Sequence, residues 1–213
     1  MKRLLAASAL LLAFTSPLLA ETYSADVWAD NWFEMRIDGV PVAVDSVPIT
    51  TERSFNAERF RFLAERPFVI ALVAMDFRQN DSGLEYIGTG RQQMGDGGVI
   101  VQIRDAAGEP VAVSNAGWQC LVIHTAPLDK SCESEANPVA GEGACAFEAM
   151  DELQGWDLAD FDASDWPQAV EYSEQEVRPK EGYDRIDWDA SARLIWGPDL
   201  EQSNTLLCRL TVE

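Results

Sequence analysis

Between Val27 and Val122 the apolar residues come in short runs broken by turn residues, which suits strands and does not suit amphipathic helices. The stretch "WFEMRIDGVPVAV" offers two extended runs around Asp38-Gly39, a dipeptide that favours the tight turn of a hairpin. "PFVIALVAM" is almost wholly apolar, so it reads as a strand buried on both faces. "GGVIVQIRDAAGEPVAVS" supplies a further strand pair around Gly108 and Pro110, and the pattern returns in "ARLIWG" and "NTLLCRLTV". The economical fold class is all-β. Residues 125–143 are rich in Pro, Ser, Asn, Glu and Gly, as a long loop should be. Phe147, Met150 and Leu153 recur at helical spacing, which predicts a short helix over residues 144–153.

The phase of the strands bears on the four cysteines, Cys120, Cys132, Cys145 and Cys208. In the last strand Leu206, Cys208, Leu210 and Val212 share one face, while Thr205, Arg209 and Thr211 share the other. Trp118, Cys120 and Val122 likewise share a face in "GWQCLVI". Two disulfides allow three connectivities, and the one the strand phase favours has Cys120 and Cys208, both turned toward a core, bridging neighbouring strands, with Cys132 and Cys145 closing the loop. A zinc site is the rival use of four cysteines, but there is no CxxC pair and His124 is the only histidine.

Residues 1–20 begin with Lys2 and Arg3, continue through an apolar stretch and end in a small residue, Ala20, which is the pattern of a secretory signal. The expected mature chain, residues 21–213, reads as a single domain with an inserted loop near residues 124–154, in a secreted or periplasmic setting that permits disulfides. No later stretch has the apolar length of a membrane span. The chain holds 16 basic and 36 acidic residues, a net charge of −20. A field of that sign disfavours nucleic acid and favours cationic or neutral partners.

The most unusual stretch is "GWDLADFDASDWPQA", residues 155–169. Trp156, Phe161 and Trp166 can pin a loop to a sheet, at roughly 1.5–3 kcal/mol for each fully buried large side chain. Its aspartates and Ser164 can hold the turn by hydrogen bonds to nearby backbone. Asp160, Asp162 and Ser164 are also spaced like the start of a calcium loop, making a structural calcium ion the one cofactor to consider. An EF-hand would place glycine sixth and glutamate twelfth; Glu171 stands at the twelfth position, but Asp165 stands at the sixth, so the central glycine is missing. Acidic pairs such as Asp184 with Asp187, or Asp162 with Asp165, could imitate glycosidase carboxylates. No nucleophile elbow, zinc-protease helix or phosphate loop is present, and His124 has no Ser or Cys motif beside it.

Several of these pieces resemble the galactose-binding-like jelly-roll domains found beside many glycoside hydrolases. The similar features are the Gly-Trp at Gly155, the Phe-Asp-x-Ser-x-Trp turn at Phe161 to Trp166, the later "ARLIWGPDLEQSNTLLCR" and the early "ADNWFEMRIDGVPV". Ala163 stands where a second aspartate is usual, Cys208 replaces an aromatic, and the cysteine-bearing insertion is a departure. The resemblance implies an antiparallel two-sheet jelly-roll sandwich that binds sugars or supports a neighbouring catalytic domain. Trp28, Trp32, Tyr86, Tyr183 and Trp188 lie beside turn or polar residues, and the ligand cluster named from the sequence is Asp30, Asn31, Arg91 and Trp188. The functional expectation is an exported, noncatalytic binding module for a neutral or cationic saccharide. The alternatives are a cell-envelope structural or protein-interaction domain, with an envelope protein as partner, and a carboxylate-dependent hydrolase.

Overall fold

The computed structural model describes residues 20–213, so the leader assigned to residues 1–20 lies outside the described residues but for Ala20. Among the described residues fourteen strands occur in order: β1 (Glu21–Asp30), β2 (Trp32–Ile37), β3 (Val40–Val44), β4 (Asn56–Ala64), β5 (Phe68–Met75), β6 (Leu84–Glu85), β7 (Gln93–Met94), β8 (Gly98–Arg104), β9 (Pro110–Val113), β10 (Gln119–Thr125), β11 (Glu148–Ala149), β12 (Val170–Tyr172), β13 (Leu194–Trp196) and β14 (Ser203–Val212). One sheet runs β12-β13-β8-β1-β4, with β9 also on β8, and the other runs β11-β10-β14-β5-β2-β3. Every pairing is antiparallel. The architecture is an all-β two-sheet sandwich, as the alternation of short runs requires.

Period-two alternation decides which side chains fill the space between the sheets. Tyr23, Ala25 and Val27 of β1 meet Val99, Val101 and Ile103 of β8 on one side, and Phe33, Met35, Ile70, Leu72 and Leu206 on the other. β5 has no solvated face. Its Phe68, Ile70, Leu72 and Ala74 join that core, while Ala71 and Val73 lie beneath Trp156 on the outer side. This double burial is the physical reason for the unbroken apolar run. Between β2 and β3, Asp38 and Gly39 have φ of 47° and 79°, the left-handed pair that a two-residue hairpin turn requires.

Cys120 and Cys208 stand opposite one another in the β10–β14 register and are bonded, and Cys132 is bonded to Cys145. The second bridge closes the insertion, whose buried cysteines pack with Leu84, Ile87 and Met94 of the β6–β7 hairpin. Gln92 strengthens the same junction by donating to the carbonyls of Glu133 and Glu135, both at 2.8 Å. The hairpin is thereby held over one end of the sandwich.

The helix expected at residues 144–153 does not form. Gly143–Cys145 is a single 3-10 turn, and Glu148 and Ala149 pair with β10 as β11. The three apolar residues at helical spacing go to different places: Phe147 stacks on His124, Leu153 packs outside the second sheet, and Met150 remains exposed. The helix that does form is α1 (Glu174–Val177), inside the polar segment after β12. Ser173 and Glu176 make a reciprocal capping box at its start.

Candidate functional site

The end of β1 carries Asp30 on the same strand face as Asp26 and Trp28, outside the first sheet. Trp28 is covered by the segment after β12, with its indole N–H donating to the Glu181 carbonyl at 3.1 Å. That contact lays the loop containing Lys180 across the strand end. Lys180 Nζ lies 3.3 Å from Asp30 Oδ2 and 3.1 Å from Asp96 Oδ1, and 4.6 Å above the Phe55 ring. Asp96 arrives from the segment between the β6–β7 hairpin and β8, and Glu85 from β6 itself. Phe55, Glu85, Asp96 and Lys180, together with Glu52, Arg53, Tyr86, Gln93 and Glu181, line an open pocket of about 200 Å³, and Asp30 lies buried behind Lys180.

Beneath that pocket the electrostatics are unusual for a protein interior. Asp30 and Asp76 are each 1% exposed. Asp30 Oδ1 and both carboxylate oxygens of Asp76 have no hydrogen-bond partner. Burial raises the pKa of Asp30 well above the ordinary carboxylate range against the pull of Lys180, and Asp96 adds to the rise. Burial does the same to Asp76, reinforced by Asp30, Glu85 and Asp96. Glu85 is pushed up to about 7, again by burial first, although Gln93 donates to it at 2.7 Å. Lys180 loses hydration in the same place, yet its pKa rises because the attraction of Asp30 and Asp96 outweighs that loss.

The sequence-named ligand residues divide in the structure. Asn31 is buried beside Asp30, donating to the Glu52 carbonyl at 3.1 Å and accepting from the Phe77 amide at 2.6 Å, so it positions two walls of the site. Arg91 stacks 4.0 Å from the centroid of Tyr86, whose hydroxyl donates to Glu52. Trp188 is not brought to the pocket. It packs with Tyr183 over the outer cluster of Trp28 and donates to the Tyr183 carbonyl.

Residues 155–169 form a cover on the outside of the second sheet. Trp156 is buried against Ala71, Val73 and Leu207, with Phe161 and Trp166 beside it. Arg209 fixes the loop by donating to the carbonyls of Phe161 and Leu158 at 2.8 and 3.0 Å. Asp160, Asp162 and Ser164 are exposed, and Asp162 accepts from the Ser164 amide at 3.0 Å, a bond that lowers its pKa. Asp184 is exposed on a 3-10 turn, and Asp187 borders a groove on the outer face of the first sheet. His124, at the end of β10, is buried 3.0 Å from Asn204 Oδ1, and burial lowers its pKa.

That groove, about 590 Å³, is the larger opening and is lined by Asp26, Arg59, Arg61, Gln102 and Arg104. Its polar groups are mostly engaged with one another. Asp26 accepts from Arg59 and Gln102, and Gln102 Oε1 accepts from the Asp189 amide at 2.7 Å. The end pocket instead gathers Glu52, Glu85, Asp96 and Glu181 around the one ammonium of Lys180, and that concentration of carboxylates makes it the stronger candidate for a ligand. Asp76, Glu85, Asp96 and Lys180 escaped sequence reasoning. The available signal was an aspartate placed directly after the doubly buried run of β5.

No family model, curated protein or solved structure matches this chain.

Proposed function

We propose that this chain is an exported, noncatalytic binding module that takes a neutral or cationic carbohydrate in the end pocket. The observation that carries the reading is the excess of carboxylates there. Asp30 and Asp96 contact the single ammonium of Lys180, and Glu85, Glu52 and Glu181 line the same opening with Asp96. Carboxylates accept hydrogen bonds from sugar hydroxyls and attract an amino sugar more strongly than a neutral one, while repelling uronates. The ring of Tyr86 and the side chain of Gln93 add an apolar face and an amide within the same opening. The likeness of residues 155–166 and of the quoted strand stretches to galactose-binding-like sequence motifs supports the same use, and the two disulfides suit an oxidising compartment.

The test is calorimetric titration of the purified chain, at fixed calcium, with chitosan, neutral and polyuronate oligosaccharides, alongside a reducing-sugar assay. Binding of the first two without sugar release is expected, weakened about tenfold by Tyr86→Ala. Silence toward all three favours an envelope interaction domain. Sugar release that depends on a carboxylate makes the chain a hydrolase.

A further inference from the structure

Asp30 Oδ1, both oxygens of Asp76 and Asn204 Nδ2 are buried side-chain atoms without hydrogen-bond partners, whereas the nearby His124 has Nδ1 3.0 Å from Asn204 Oδ1 and Nε2 3.4 Å from Asp81 Oδ1. The backbone joins Asp76 to the end of the sandwich that carries Asn204, since its amide donates to the Asn204 carbonyl at 2.9 Å. Its carboxylate presses on Gly95, where a Cβ atom would stand 1.9 Å from Oδ2. A side chain at position 95 would therefore fill the space that the carboxylate faces. Natural interiors rarely leave such groups unsatisfied, and a bare carboxylate is the most costly of them.

We propose that this end of the sandwich binds a divalent cation, with Asp76 and Asp30 as its carboxylate ligands and Glu85 and Asp96 as flanking charges. Among the described residues no three His, Cys, Asp or Glu side chains converge as a metal site. The donors available are carboxylate oxygens, which suit a hard cation that completes its shell with main-chain oxygens and water. Charge favours a divalent ion over a monovalent one. Four carboxylates share this region with Lys180, so three negative charges are uncompensated when all are ionised, and a divalent ion leaves one. The remaining negative charge is compatible with a cationic or neutral guest in the pocket above, but the cation site does not depend on that reading. Its structural role is to tie the end of β1 and the exit of β5 to the segment carrying Gly95.

The experiment is titration of chelator-stripped full chain with calcium chloride, followed by calorimetry and thermal melting, for wild type, Asp76→Asn, Asp30→Asn and Asp162→Asn. Wild type is expected to bind one ion and to gain about 5–10 °C in Tm at a hundredfold excess over Kd. Asp76→Asn and Asp30→Asn should each weaken binding at least tenfold, whereas Asp162→Asn should bind as wild type does. If Asp76→Asn does not fold, Asp30→Asn and the wild-type titration still decide the matter. Absence of both heat and Tm shift in wild type overturns the proposal. So does loss of binding in Asp162→Asn with retention in Asp30→Asn, which would place the ion on residues 160–164. Saccharide titration is a separate readout, so a failed carbohydrate reading leaves the calcium result intact.

Discussion

Lys180 and Asp30 are 150 positions apart, yet the lysine ammonium lies 3.3 Å from a carboxylate that is almost fully enclosed. The pair spans the boundary between sheet and loop, with Asp30 fixed at a strand end and Lys180 37% exposed at its side chain. Removing one partner of an enclosed pair leaves the other uncompensated, although water around Lys180 screens part of the loss. Lys180→Met should cost about 1–3 kcal/mol in urea denaturation at pH 7. Adding Asp30→Asn should restore part of it. A double variant no more stable than Lys180→Met would mean that the two charges are not coupled.

Asp45 gives a pH dependence that can be isolated from that site. Its Oδ1 accepts from the Val47 amide at 2.8 Å, but Oδ2 is buried without a partner. Burial, aided by the negative Glu58, raises its pKa from 3.8 to about 6 against the effect of that amide bond. Between those values the folded chain holds a proton that the unfolded chain has released. Stability from this group is therefore full below pH 3.8 and is lost as pH rises toward 6, by about 2–3 kcal/mol in total. Asp45→Asn should lack that part of the slope. Parallel stability curves for the two proteins between pH 4 and 7 would refute the assignment.

The part of this architecture legible in the sequence is the part governed by period-two burial. The run in β5, the Asp38-Gly39 turn and the facing cysteines of β10 and β14 each follow from local pattern. Residues 144–153 show where local pattern misleads, because Phe147 and Leu153 are drawn to separate partners by the disulfide-bearing insertion. The site was legible at Tyr86, which lines the pocket, and at Asp30 and Asn31, which lie buried beside it. Its other members come from β5, the β6–β7 hairpin and the loop after α1, and no sequence interval links those segments. Arg209 was also hidden, since a charged residue on the outward face of a last strand reads as solvated until residues 155–169 are seen to cover it.

The two disulfides should differ in their contributions. Cys132 and Cys145 are separated by 13 positions, and Cys120 and Cys208 by 88. In the chain-entropy description the shorter loop contributes about 3 kcal/mol and the longer about 4.6 kcal/mol. Loss of the shorter bridge through a paired Cys→Ser change should also loosen the β6–β7 hairpin, because its cysteines pack against Leu84. Hydrogen exchange would report this as faster opening of residues 84–94 with little change in β14. Uniform acceleration across both sheets would show that the insertion is not a local clasp.

Trp156 and Trp188 sit outside opposite sheets and test whether the two covers act independently. Trp156 is fully buried over Ala71, Val73 and Leu207, stacks near Trp166 and lies under the Arg36 guanidinium. Trp188 is only half-buried, against Tyr183 in the cluster around Trp28. Truncation leaves a cavity in the first case and mainly an exposed notch in the second. Trp156→Ala should therefore cost about 3–5 kcal/mol and Trp188→Ala about 1–3 kcal/mol. The residues belong to separate clusters with the whole sandwich between them, so the losses should add to within about 0.5 kcal/mol. Urea midpoints for the two single variants and the double variant measure this directly. A coupling above about 1 kcal/mol would mean that loosening one cover shifts the common core between the sheets. Saccharide binding gives the complementary check on Trp188: its loss at unchanged stability would make the ring a contact surface rather than packing.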